Sequence, residues 1–485
     1  MSTNDTAARE IWRKSHGYTE EMLYSAADQL AWLLDDPRYQ DPAFEPPEHV
    51  RMFMGLIAKI EAEAIRMVSA GPPYVPATEL EGSFGLSQMH AFYPPKWLDF
   101  LKRMGLPDTQ MTDEMLREWE PLLTEGVPLR NGNMLSNHAW SLTDPAWTLV
   151  TPYYIARLLD PSITVPFGTT PAWITVDDAD EITLGLVGDM GTGSFFDGDG
   201  VLCPPDAIMA QMEKLGVDYT IHLGDVYPLG APQFYDLFLK SWKPGRRGSF
   251  NINSNHDMYA WGTGYFDVGL KDPVFAVQQG TSYFALEFGD WIVVGIDGAY
   301  YAKPPWMFEG NVSDLSVQDL RCCGIPDCVD AHQQVFLREV RERAEKHDKK
   351  VFVLTHHHAL LPDGTATSGL WDQVVSDDML GRAPDVWYYG HIHAAAVYSE
   401  HSAAGPDTKA RVFGHGAIPF APPDEMAENC GTGKPIECYA STPYDDGVLE
   451  HHGRAQNGFA VVTLTKDGGM SERFLNQDGT DMCEG

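Results

Sequence analysis

The chain has 485 residues, too many for one ordinary hydrophobic core, so two domains or one domain with a large extension are expected. Its 34 basic and 69 acidic residues give a net charge of −35, which disfavours a nucleic-acid duplex or an anionic membrane as main partner; a small anionic substrate stays compatible, because bound dications reverse the local field. The 44% hydrophobic content suits a packed globular protein, no stretch reaches membrane-span length, and no basic start precedes an apolar segment, so a cytoplasmic location is the default.

Residues 1–175 read as helical segments broken by loops. Pro47-Glu48 opens a stretch in which Val50, Phe53, Met54, Ile57, Ile60, Ala64 and Met67 recur at helical spacing, closed by Gly71-Pro72-Pro73. Residues 97–101 and 147–158 look like further helices. There is no internal repeat and no catalytic signature here, and His90 and His138 read as structural. This part is expected to be a helical cap or an element through which two copies associate, with residues 161–180, rich in Pro, Thr and Asp, as the join.

From residue 181 apolar runs alternate with helical stretches. Residues 182–187 form an apolar run ending in Gly188-Asp189-Met190-Gly191, and 205–215 read as a helix. Residues 219–223 end in Gly224-Asp225, 234–242 are helix-like, and 250–253 end in Ser254-Asn255-His256-Asp257. Residues 291–296 form a strand ending in Asp297 without a partner motif. A long helix over 331–347 carries Arg338/Glu342 and Glu339/Arg343 four residues apart on its wet face. Residues 351–355 end in His356-His357-His358, and Val386-Trp387-Tyr388 leads into Tyr389-Gly390-His391-Ile392-His393. If that last strand continues, His391 and His393 share a face about 6–7 Å apart along it, and Gly390 clears side-chain bulk where a substrate approaches. Residues 411–413, 459–464 and 472–475 read as strands, and 418–455 as a Pro/Gly-rich loop near the site mouth. Alternating strands and helices argue an α/β sandwich, with chemistry at the carboxyl ends of the strands.

The seven cysteines form two clusters, Cys322/Cys323/Cys328 and Cys430/Cys438, with Cys203 and Cys483 apart. Neither cluster has a Cys-x-x-Cys pair. Loop thiols, disulfide-bonded if the protein is exported, are the expected reading, with a zinc shared by the two clusters as the alternative.

Five strand ends therefore carry Asp189, Asp225, Asn255-His256, His356 and His391-x-His393. A lone His-x-His is more often two solvated polar residues, but five such endings in series are hard to explain that way. Carboxylates and an amide oxygen suit hard or borderline cations, imidazoles suit Zn, Mn, Fe or Ni, and no thiolate falls in the set. Serine-hydrolase chemistry is disfavoured because no Gly-x-Ser-x-Gly occurs. Dinucleotide binding has only Gly191-Thr192-Gly193 after a strand, and a Walker A loop is absent.

Over about 181–480 these motifs resemble the calcineurin-like metallophosphoesterase superfamily, in its purple-acid-phosphatase-like bacterial branch. That pattern runs Asp-x-Gly or Asp-x-His, Gly-Asp, Gly-Asn-His-Asp/Glu, His, Gly-His-x-His. The resemblance implies a four-layer αββα sandwich carrying residues 1–175 as an N-terminal mainly helical extension. It implies a phosphomonoesterase or phosphodiesterase with two divalent or mixed-valence ions (Fe, Mn or Zn) and a small phosphorylated substrate. By position Asp225 would bridge the ions, Asp189 and His393 would hold the first, and Asn255, His356 and His391 the second. A hydroxide bridging the pair would attack phosphorus in line. His256, left free of metal, would protonate the leaving group, with Asp257 fixing its orientation or charge.

Three departures stand out. Gly191 sits where many members carry a metal-binding His, so the first ion is short of ligands. Purple acid phosphatases have a Tyr three residues after the bridging Asp; here that position is Pro228, and Tyr227, one residue early, is expected to face away from the metal. Ser254 replaces the usual Gly before Asn255, making the turn less permissive. Of His357 and His358, His357 is the candidate for a phosphate contact. Tyr259, Trp261 and Tyr265 are candidates for the pocket wall, with core packing the ordinary role of each. The rival from another class is a non-catalytic scaffold, metal-stabilised and binding a partner through its N-terminal helices.

Overall fold

A computed structural model describes residues 28–70, 95–106, 126–136, 138–193 apart from 142, 143, 145, 146 and 148, 203–302, 307, 310, 312, 332–445 and 450–483. His90 and the Cys322/Cys323/Cys328 cluster lie outside them.

Among the described residues the N-terminal part has three longer helices: α1 (Glu48–Ala70), α2 (Pro95–Arg103) and α3 (Val150–Leu159). On α1 the side chains of Val50, Phe53, Met54 and Ile57 are buried while Met52 is exposed, the one-sided stripe that the spacing predicts. These helices share one apolar cluster with Val187, Met190, Tyr227, Tyr235 and Tyr259 from the rest of the chain. The ring of Phe53 meets Tyr154 at 4.8 Å, and Tyr154 meets Tyr259 at 5.6 Å. The Arg157 guanidinium donates to the Met258 carbonyl at 3.0 Å.

The remainder is mixed α/β, with two large sheets and, among the described residues, a two-stranded ribbon of Pro443–Asp445 and Glu450–Ala455. The smaller is built from β2 (Glu181–Val187), β3 (Tyr219–His222), β4 (Gly248–Asn251), β12 (Gly458–Thr465) and β13 (Met470–Asn476), in the order β13-β12-β2-β3-β4. The larger contains β1 (Ala172–Val176), β5 (Phe284–Phe288), β6 (Trp291–Gly295), β7 (Lys350–Thr355), β8 (Val386–Tyr389), β9 (Ala395–Tyr398), β10 (Lys409–Phe413) and β11 (Ile436–Tyr439), in the order β11-β9-β10-β8-β7-β6-β5-β1. Strands β2, β3 and β4 run parallel, as do β6, β7, β8 and β10, so within each group the carboxyl ends emerge together. Between the strands lie α4 (Pro204–Leu215), α5 (Pro232–Ser241), α6 (Asn255–Tyr259) and α7 (His332–His347). Helix α4 has Pro at its first turn and stops at Gly216 in the left-handed conformation, φ 62°.

Apolar residues of both sheets form one core, with Phe250 of β4 stacked on Phe284 of β5 at 4.2 Å. A polar clasp also joins the sheets. Arg411 of β10 holds Glu472 of β13 through two bonds, 3.0 and 3.1 Å, and the Tyr388 hydroxyl of β8 donates to the same carboxylate at 2.6 Å.

Several expectations change. The join over 161–180 contains β1, an edge strand beside β5. The 418–455 stretch is structured too: a short helix α8 (Asp424–Glu428) and β11, which extends the large sheet. Cys438 on β11 is disulfide-bonded to Cys483, so it is not a thiolate available to a shared zinc, and its partner is not the neighbouring Cys430. On α7, Arg343 reaches across to Glu287 at 2.7 Å and lies over Trp173, a partly desolvated pairing that outcompetes Glu339 in water. Asp297, the strand end without a partner motif, is buried and accepts from Asn253 at 2.9 Å and from the backbone N–H groups of Ala299 and Tyr300.

Removing Glu472 leaves the guanidinium of Arg411, only 6% exposed, without its anion. Glu472→Ala should cost about 3–5 kcal/mol, read as a fall in the denaturant midpoint, whereas an exposed pair such as Arg130/Asp424 should cost less than about 1 kcal/mol.

Candidate metal centre

The strand ends meet where the two sheets adjoin. Asp189 follows β2, Asp225 follows β3, and His391 follows β8, and all three take left-handed backbone conformations, φ 58°, 72° and 67°. Such angles are rare for residues with a Cβ and persist only where the surroundings hold them. Here the hold is cross-strand. The Asp189 N–H donates to the Gly224 carbonyl at 2.8 Å, Gly390 N–H to the His356 carbonyl at 3.1 Å, and His391 N–H to Asp189 Oδ2 at 3.0 Å.

The strand therefore does not continue through the His-x-His pair. It ends at Tyr389, and the turn at His391 sends the two rings to different partners. His391 Nδ1 lies 3.1 Å from His356 Nε2, while His393 Nε2 lies 3.6 Å from Asp189 Oδ1. Two groups of metal-ligand type result, Asp225/His356/His391 and Asp189/Asp225/His393, and Asp225 belongs to both. Gly390 serves this packing and not substrate access: a Cβ there would sit 2.8 Å from Asp189 Oδ2 and 3.1 Å from the Leu223 carbonyl oxygen.

The donor set can be read atom by atom. His356 Nδ1 donates to the Leu223 carbonyl at 2.9 Å, which leaves Nε2 with its lone pair. The Asn255 amide donates to the Tyr259 hydroxyl at 3.0 Å, which turns its oxygen toward that lone pair at 2.9 Å. Asp225 Oδ1 stands 3.3 Å from the same nitrogen. Acceptors thus face acceptors with no proton to share. Both oxygens of Asp225 and Oδ1 of Asp189 are buried and lack any hydrogen-bond partner. A buried carboxylate so exposed to its neighbours is costly unless a cation fills the space. Ligand atoms about 3 Å apart are what metal–ligand distances near 2.1 Å produce. The residues fit a pair of ions, with nitrogen and oxygen donors suited to Zn, Mn or Fe.

Burial sets the charges. It pushes the imidazoles of His356 and His393 down to about 3 and about 4, and holds His391 well below the ordinary value, so all three are neutral donors. Burial, then the Asp225 charge, raises Asp189. Burial alone would raise Asp225 as well, but His356 and His256 beside it outweigh that and hold it low.

His256 is buried, with Nδ1 bonded to the Pro228 carbonyl at 2.8 Å and Nε2 aimed at Asp225 Oδ2, 4.0 Å away. Burial lowers its pKa. The Pro228 carbonyl orients it, not Asp257. Asp257 accepts from the Ser254 N–H and hydroxyl and from Tyr235, closing the capping box of α6, and burial raises its carboxyl to about 8. Ser254, at φ −130°, needs no glycine and serves as the helix cap.

His357, the candidate phosphate contact, is fully buried and bonds the Met307 carbonyl at 2.8 Å; its neighbour His358, stacked on His391 at 5.6 Å, lines the cavity instead. Tyr259, Trp261 and Tyr265 pack in the interior, bonded to Asn255, the Tyr153 carbonyl and the Asn251 carbonyl, so none forms the wall. Tyr227 turns inward, contrary to expectation. Its hydroxyl bonds His393 Nε2, and its ring lies 4.0 Å from that of His256. The left-handed turn at Asp225 redirects the residues that follow it, so a tyrosine one residue early still reaches His393.

A cavity of about 220 Å³ opens onto Asn255, His256, His391 and His393. Its other walls come from the two parts expected to border the site, though none of these residues was singled out in the sequence: Asn131, Asn133, Met134, Trp140 and Trp147 from the N-terminal part, and Ile418, Pro419, Pro423 and Glu425 from the stretch placed near the site mouth. Trp140 explains Gly191. A Cβ at that glycine, φ 58°, would lie 2.5 Å from the indole, so Trp140 occupies the volume a side chain at 191 would need.

Neither the protein-family models nor the curated proteins compared with the chain give a match. Among solved structures it is similar to GAP50, the anchor in the inner membrane complex of Plasmodium, at 11% identity and TM-score 0.40, over 63% of this chain and 88% of that one. It is also similar to PhoD (11%, 0.36, 65% and 72%) and to a putative 5'-nucleotidase from Staphylococcus aureus in complex with alpha-ketoglutarate (10%, 0.29, 61% and 53%). These overlaps are loose, and the reading of the site rests on its own geometry. No helix among the described residues is long and apolar enough to cross a membrane.

Asp225→Asn removes the shared carboxylate and its repulsion with Asp189. Without metal the variant should be at least as stable as the parent; added Mn²⁺ or Zn²⁺ should raise the parent's melting temperature and leave the variant's unchanged. A parent that does not respond to either ion speaks against the centre.

Proposed function

We propose that the chain is a calcineurin-like metallophosphoesterase with the four-layer sandwich of that superfamily, hydrolysing phosphate esters at a dinuclear centre. The supporting observation is the acceptor-only convergence on Asp225, with His256 beside it outside both donor groups. Asp189 and His393 would hold one ion, Asn255, His356 and His391 the other, and Asp225 both. When bound, two dications neutralise phosphoryl oxygens and make water a competent nucleophile near neutral pH.

The protein's own contribution is positional. The Pro228 carbonyl holds the proton of His256 on Nδ1, so Nε2 is the nitrogen that would take up a second proton and pass it to the leaving oxygen as the P–O bond breaks. Asp257 acts through the α6 cap, and Tyr259 keeps the Asn255 amide oxygen pointed at the centre. Tyr227 braces both His393 and His256. The Cys438–Cys483 disulfide favours an oxidising compartment over the cytoplasmic default.

Turnover of p-nitrophenyl phosphate and bis-p-nitrophenyl phosphate by metal-loaded protein tests the reading. His256→Ala should retain its metal and lose about 10²–10⁴-fold in rate. No turnover of either ester by the metal-loaded parent would favour the scaffold instead, and metal loss in His256→Ala would reassign that residue as a ligand.

A further inference from the structure

The cavity beside the centre has a composition of its own. The Trp147 ring packs edge-on against His256 at 5.2 Å and Tyr227 at 5.3 Å, and its Nε1 donates to the Ser141 carbonyl at 2.8 Å, so the indole is held in place. The Trp140 indole lies over Gly191, and its backbone N–H donates to the Asp144 carboxylate at 2.7 Å. Ile418 and Pro419 line the same cavity. Among the described residues no Lys or Arg lines the cavity, and the one charged group there is the carboxylate of Glu425.

Two polar atoms among the described lining residues are unspent, His358 Nδ1 and the amide nitrogen of Asn131. Asn131 Oδ1 accepts the Asn133 N–H at 3.1 Å, which fixes the amide plane, and its Nδ2 is buried with no hydrogen-bond partner. A buried donor left so costs about 1–3 kcal/mol unless a ligand acceptor meets it. His256 marks the side on which the leaving group departs. A charged or heavily hydroxylated leaving group would be desolvated against indole, Ile418 and Pro419 without compensation. An apolar ring with one acceptor atom suits both the wall and the amide.

Resting on the phosphoesterase reading, we propose that this cavity is the leaving-group subsite and takes an uncharged alcohol bearing a flat ring with a hydrogen-bond acceptor, a nucleoside being the simplest probe. The N-terminal part then supplies specificity, while the strand ends supply the chemistry.

Matched leaving groups test it, because thymidine 5'-phosphate and ribose 5-phosphate both release a primary alcohol, as do their methyl diesters. With full-length, metal-loaded protein, the kcat/KM ratio of ring-bearing to ring-lacking substrate should be roughly 5- to 150-fold, the range of base–aromatic contact energies. Trp147→Ala should bring the ratio near one. Asn131→Ala, at a partly exposed position, should lower it several-fold with metal content and circular dichroism unchanged. A parent ratio near one, or a ratio untouched by both substitutions, overturns the subsite while p-nitrophenyl turnover still supports the hydrolase. If no ester is turned over, the hydrolase reading falls and the subsite with it.

Discussion

A carboxylate with nothing to accept from is the constraint around which this structure is arranged. Asp225 is fully buried, neither of its oxygens has a hydrogen-bond partner, and the imidazole nitrogens that face them, His356 Nε2 and His256 Nε2, present lone pairs. Each neighbour has had its proton directed elsewhere: His356 to the Leu223 carbonyl, the Asn255 amide to Tyr259, His256 to the Pro228 carbonyl. A fold does not hold so many acceptors together for its own stability, since each is costly to bury unpaired. The arrangement makes physical sense around cations.

Maintaining it requires two sheets whose carboxyl ends are locked to each other. The left-handed turns at Asp189, Asp225 and His391 are held by hydrogen bonds between neighbouring strand ends, Asp189 to Gly224 and Gly390 to His356, and by one that crosses between the sheets, from the His391 N–H to Asp189. Behind them, Arg411 and Glu472 clasp β10 to β13, and Phe250 stacks on Phe284. Packing and polar contacts thus convert parallel strand order into a site geometry.

The N-terminal helices share the apolar cluster that backs α6, and the segment over 131–147 reaches the cavity itself. Trp140 fills the space a larger residue at 191 would take, and Tyr227 contacts His393 from the same side. The glycine that looked like a missing ligand is one half of a packing pair whose other half lies about fifty residues earlier.

By itself the sequence determined which strand ends carry acceptor side chains, because apolar runs closing in Gly-Asp, Asn-His or His-x-His are local patterns. It also determined the face of α1, the helices α4, α5 and α7, and most strands of both sheets. It did not reveal β1, β5, β9 or β11, each of five residues or fewer. Tertiary structure alone decided which way each side chain turns after a left-handed residue, so Tyr227 came inward, His357 went into the core and His358 to the cavity. It alone paired Gly191 with Trp140 and Cys438 with Cys483. Local patterning records what a segment buries, whereas orientation at a turn and contact across long loops depend on atoms that no neighbouring residue supplies.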